Sequence, residues 1–284
     1  MTHRRRAWPL AAVLVALFVA ACSGAGATTA PSAAAPSSAS QAAGSGSANL
    51  TIFGAASLKG VLDKAKTAYE AANPGTTLTV STDSSSALET QIEQGAPADV
   101  FLSADTSNPK KLVDGGFASG AATTFAGNKL TVVTPTDNPG GLTSPLDLAK
   151  SGIKVIAAGD DVPITKYATQ LVANLAKQAG APANFVDAYN GNVASKEDNV
   201  KALIAKIELG EGDAGIVYVT DAAASKKVKT IEIPDDANVP ATYSGVVVKA
   251  SRNQDAASKF LTWFAGPDGQ AILQSFGFLP PSSS

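Results

Sequence analysis

The chain has 284 residues, with 22 Lys plus Arg against 24 Asp plus Glu, a formal charge of −2, one Cys and one His. Without a basic cluster or an aromatic platform it offers nothing to nucleic acid. The single histidine, His3, sits in the leader and the single cysteine is Cys22, so a histidine triad, a structural disulfide and a His/Cys zinc site are all excluded.

Arg4-Arg5-Arg6 form a basic start, and Leu10 to Val19 is an apolar run shorter than the roughly 20 residues a bilayer span needs. Val19-Ala20-Ala21-Cys22 then resembles the bacterial lipobox, so residues 1–21 are expected to be a signal peptide and Cys22 a lipid-modified N-terminus. Removing them takes away three arginines and no acid, which leaves 19 basic residues against 24 acids, or −5. Residues 22–48 are almost entirely Ala, Ser, Gly, Thr and Pro without charge, a composition that predicts a flexible tether.

From Asn49 the pattern is that of a globular α/β protein of about 235 residues, enough for two modest lobes. Leu50, Ile52 and Phe53 predict a buried strand, Gly54-Ala55-Ala56 a tight turn, and Ser57 an N-cap. The helix that follows is spaced on Leu58, Val61, Leu62, Ala65, Ala68, Tyr69 and Ala72. A helix start of this kind has unpaired N–H groups and partial positive charge, which an oxyanion can use without a cationic side chain.

The motif recurs. Strand Leu78–Val80 runs into Ser81-Thr82-Asp83-Ser84-Ser85-Ser86, and Ala87, Leu88, Gln91 and Ile92 continue in helical register. Two such turns place two helix starts along one sheet edge, where open α/β sheets bind ligands. Strand-like runs at Asp99–Leu102, Leu130–Val133, Lys154–Ala157 and Gly215–Tyr218 alternate with helices, which predicts parallel sheets flanked by helices. Asn128–Pro135 and Tyr243–Lys249 are expected to be two strands crossing between the lobes. Between them, Pro163 suits a first helical turn, and Asp198 or Asn199 caps a helix carrying Val200, Leu203, Ile204 and Ile207. Tyr218 closes a buried strand, a place where tyrosine is more often a core residue than a ligand.

Several blocks carry a resemblance to a known family. They are Ala55-Ala56-Ser57-Leu58, Ser84-Ser85-Ser86, Gln91-Ile92-Glu93-Gln94-Gly95-Ala96-Pro97-Ala98-Asp99, Val162-Pro163, Gly212 to Tyr218, and Phe276-Gly277-Phe278. With them the chain resembles, over residues 49–279, the molybdate-binding lipoproteins and periplasmic proteins of ABC importers. The resemblance implies a two-lobed periplasmic-binding-protein-like α/β fold, each lobe a mostly parallel sheet flanked by helices, with two crossing hinge strands. It divides the chain into 49–133 as the first part of lobe I, 134–244 as lobe II and 245–284 as the rest of lobe I.

By motif match, Ser57 and Ser85 would each give a hydroxyl and an N–H, Ile164 and Val200 backbone N–H groups, and Tyr218 its phenolic O–H. Ile164 departs from the usual small residue after Val-Pro, which matters little if only its amide is used. Asp83 departs more, by setting an acid before the serine run; pointing away or capping the helix would reconcile it with a dianion. The implied ligand is molybdate, with tungstate nearly isosteric. Molybdenum is held as an oxyanion and not as a coordinated cation, no cofactor is implied, and the partners are a membrane permease and, through Cys22, the outer face of the cell membrane. The implied protein is an extracytoplasmic monomer and not an enzyme.

The alternatives are sulfate or phosphate binding, or a carboxylate-dependent hydrolase to which no motif points. An amino-acid or sugar binder would want a charged or aromatic clamp, and the five tyrosines and two tryptophans, one of them in the leader, are not expected to cluster to provide it. A Cys22→Ser variant is expected to leave the membrane fraction with its ligand binding intact; unchanged retention at the membrane would contradict the lipid anchor.

Overall fold

The computed structural model describes residues 47–281; the expected signal peptide, Cys22 and all but the last two residues of the expected tether lie outside them. The first lobe begins β1 (Ala48–Ala55), α1 (Lys59–Ala72), β2 (Thr76–Asp83), α2 (Ser85–Glu93) and β3 (Val100–Ser103). It continues with α3 (Ser107–Asp114) and β4 (Thr123–Asn128). The second comprises β5 (Leu130–Pro135), β6 (Val155–Ala158), α4 (Pro163–Leu175), α5 (Phe185–Asn192) and β7 (Val193–Glu197). After these come α6 (Val200–Glu208), β8 (Ala214–Tyr218), α7 (Val219–Ala223) and β9 (Val228–Ile231). The chain then returns to the first lobe with β10 (Ala241–Val247), α8 (Gln254–Ala265) and α9 (Pro267–Ser275).

The two five-stranded sheets repeat one plan, β2-β1-β3-β10-β4 and β7-β6-β8-β5-β9. In each, four strands run one way and a single strand runs against them, so the sheets are mostly parallel, as the sequence predicts, with one reversed strand between two of the others. The reversed strands are β5 and β10, which carry the chain into the second lobe and back into the first.

The lobe boundaries also differ from the expected 133/134 and 244/245. Sheet membership changes at Lys129, and β10 belongs wholly to the first sheet. The return crossing is the irregular segment 232–240 and not a strand, because Pro234 and Pro240 cannot donate to a ladder. Asn238 supplies the missing pairing: its amide accepts from Leu130 N–H at 3.1 Å and donates to Leu130 C=O at 2.9 Å. The two crossings therefore run side by side.

Helix packing sets where the strand ends point. Gly215 lets α6 lie close on β8, since a Cβ there would meet Leu203 Cδ2 at 2.8 Å and Ile156 C=O at 3.0 Å. Leu203, Ile204 and Ile207 bury the inner face of α6 in the apolar core. Gly215→Ala is expected to lower stability by about 1–3 kcal/mol through overpacking, read as a drop in denaturant midpoint at constant slope.

Candidate functional site

The carboxyl ends of β1, β2, β6, β7 and β8 face one small cavity between the sheets. Its walls are Ala55, Ala56, Ser57, Ser84, Ser85, Ala104, Val162, Pro163, Ile164, Asn199, Val200 and Tyr218. All five of the residues singled out in the sequence, Ser57, Ser85, Ile164, Val200 and Tyr218, thus meet at one place. None of the twelve lining residues carries a charge.

Each wall is a segment start. Ser85 and Val200 are the first residues of α2 and α6, and Ile164 is the second of α4, so their N–H groups have no acceptor within their helices. Ser57 is not the N-cap the sequence predicts. Ala55 heads a 3₁₀ turn over Ala56–Leu58, α1 starts only at Lys59, and Ser57 makes no capping bond. Its Oγ instead lies 3.0 Å from the hydroxyl of Tyr243, where either can donate. When Tyr243 donates, the Ser57 proton is free for another acceptor. Ser85 Oγ accepts from Ala104 N–H at 3.1 Å, which likewise leaves its own proton free. Asn199 is the cap of α6, accepting from Lys201 and Ala202 N–H at 3.1 and 3.0 Å.

Tyr218 is the most telling member. It is 1% exposed, it lines the cavity, and its hydroxyl has no hydrogen-bond partner. Burial, then Tyr243, Tyr167, Asp221 and Asp105, hold its pKa well above the ordinary phenol value, so it stays a donor at neutral pH. Behind it, Asp221 is also buried, and burial raises its pKa while Lys201 pulls it back in part. Lys201 Nζ lies 2.7 Å from Asp221 Oδ1.

Two features were beyond sequence reading. The tyrosines do cluster: the Tyr218 ring lies 6.3 Å from Tyr167 and 5.6 Å from Tyr243, centre to centre. Only Tyr218 of the three reaches the cavity, so they form a wall and not a clamp around a ring-shaped ligand. The Ser57–Tyr243 bond joins residues 186 positions apart, and no local signal foretells it. Asp83, the awkward acid, does not line the cavity. Its Oδ1 accepts from Ser84 N–H at 2.7 Å and from Asn199 Nδ2 at 3.0 Å.

A family model described as bacterial extracellular solute-binding protein matches residues 50–279. The chain belongs to this family. Among similar solute-binding proteins is the molybdate-binding protein ModA of Mycobacterium tuberculosis, 31% identical over 83% of this chain and 86% of that one. The solved periplasmic molybdate-binding protein of Azotobacter vinelandii superposes with a TM-score of 0.69 at 25% identity, over 82% of this chain and all of that one. The sulfate-binding protein SubI of M. tuberculosis superposes at 0.73, over 82% of this chain and 87% of that one, but at 21% identity it shares the fold alone.

The unpartnered hydroxyl has a consequence that can be measured without ligand. A buried donor left unmade costs about 1–3 kcal/mol, so Tyr218→Phe is expected to leave the ligand-free protein at least as stable as the unchanged one, and up to about 1 kcal/mol more so. A clear loss of stability in thermal unfolding would mean that the hydroxyl is satisfied within the protein.

Proposed function

We propose that this protein captures molybdate outside the cytoplasm and hands it to the membrane permease of an ABC importer, tethered meanwhile by a lipid on Cys22. The carrying observation is a cavity without charged side chains whose buried Tyr218 hydroxyl lacks an acceptor. Molybdate is fully ionised near neutral pH and only accepts hydrogen bonds. It matches a wall of serine and tyrosine hydroxyls and helix-start N–H groups. Phosphate keeps a proton over much of that range and wants an acceptor such as a carboxylate. None lines the cavity, and the Asn199 amide oxygen is already taken by α6.

The donors are shared between the lobes: Ser57 and Ser85 from the first, Ile164, Val200 and Tyr218 from the second. A bound anion then bridges them and favours closure. Sulfate has the same charge but is smaller, so cavity size separates the two, and tungstate is expected to bind nearly as molybdate does. The role is capture and delivery, with no reaction catalysed. Similarity to proteins named for molybdate supports this reading over the sulfate alternative.

Calorimetric titration tests it. The unchanged protein is expected to bind molybdate far more tightly than sulfate or phosphate. Ser57→Ala and Tyr218→Phe should each lose about tenfold to a hundredfold, since a hydrogen bond to a charged group is worth roughly 1.5–3 kcal/mol. Affinity should stay flat between about pH 6 and 8, because the Tyr218 proton is held through that range and no histidine lies among the described residues. Unchanged affinity in both variants would move the site elsewhere.

A further inference from the structure

Asp83 stands where an acid is least expected, one residue before a helix start that faces an anion cavity. Its carboxylate is turned across the gap between the lobes. It ends β2 in the first lobe, and Asn199 precedes α6 in the second. One Asn199 side chain does two things at once. Its oxygen caps α6, while its NH₂ donates to Asp83 Oδ1. The other side-chain hydrogen bonds that join elements of the two lobes among the described residues, Asn128 with Thr220, Tyr167 with Thr242 and Lys166 with Ser107, involve neither a cavity-lining side chain nor a helix cap.

We propose that Asp83 and Asn199 form a clasp that holds the lobes shut over the cavity and fixes the start of α6, so that the Val200 N–H stays aimed inward. Both are positioning residues, and the clasp rests on the molybdate reading for its ligand. The physical case is one of competing signs. As a bare charge beside the cavity, Asp83 repels a dianion. As a clasp, it lowers the energy of the closed state by a charge-assisted hydrogen bond. Because Asp83 already accepts from Ser84 N–H and from Asn199, part of its charge is neutralised by donors committed to it. The clasp term therefore outweighs the repulsion, and removing Asp83 weakens binding.

An exchange of partners decides this. Asn199→Asp keeps an acceptor over α6, since aspartate is as good an N-cap as asparagine, but sets two carboxylates face to face. Adding Asp83→Asn restores a donor and an acceptor in reversed polarity, with the formal charge of the unchanged chain. In titration with molybdate, Asp83→Ala should weaken affinity about three- to tenfold and Asn199→Asp by about tenfold or more, with the exchanged pair recovering most of that loss.

Hydrogen–deuterium exchange of the ligand-free chain gives a second readout. Amides of 84–88 and 199–204 should exchange faster in Asn199→Asp and slow again in the exchanged pair. If the exchanged pair is no better than Asn199→Asp in both readouts, or if Asp83→Ala binds as tightly as the unchanged chain or more so, the clasp is wrong. If the unchanged chain takes up no molybdate, the functional reading fails, and the exchange readout still decides on the clasp.

Discussion

Donors in want of an acceptor govern this molecule. The first N–H groups of any helix have no partner inside it, and leaving a buried one unmade costs about 1–3 kcal/mol. Here the starts of α2, α4 and α6, the 3₁₀ turn holding Ser57 and the Tyr218 hydroxyl are all turned toward one uncharged cavity. The partial positive charge of each helix start adds to the others there. A dianion can thus be held without any lysine or arginine, and its release costs no ion pair.

The twofold plan of the sheets makes that convergence possible. Each lobe directs the carboxyl ends of its parallel strands at the gap, as open α/β sheets do where they bind ligands. The crossings lie side by side, tied by Asn238 to Leu130. Neither lobe alone supplies the full set of donors.

Much of this was legible in the residues. Small-residue turns after strands and hydroxyl-bearing helix starts mark the segments that line the cavity, because each is a local signal of strand end or helix start; the five residues themselves rest on the family resemblance, and for Tyr218 the local pattern alone favours a core position. The cap of α6 was narrowed to two residues, and Asn199 is the one that accepts from the helix. What escaped is non-local. The role of Ser57 is set by Tyr243, far along the chain, and not by the helix after it. The clustering of Tyr167, Tyr218 and Tyr243 depends on β8 and β10 lying in different sheets that meet at the cavity. The lobe boundaries moved because the return crossing lies upstream of the expected strand, in the proline-bearing segment 232–240, while Tyr243–Lys249 falls largely in β10 of the first sheet. Asp83 looked like an obstacle because a sequence does not say which way a side chain turns.

The central claim is that the uncharged cavity is where the oxyanion sits. A crystal grown with molybdate and measured at the molybdenum absorption edge tests it most directly. The account predicts one anomalous peak inside the cavity, its oxygens within about 2.7–3.2 Å of the Tyr218 hydroxyl and of the N–H groups of Ser85, Ile164 and Val200. A peak outside those walls, or an empty cavity in a crystal that holds molybdenum elsewhere, would contradict it.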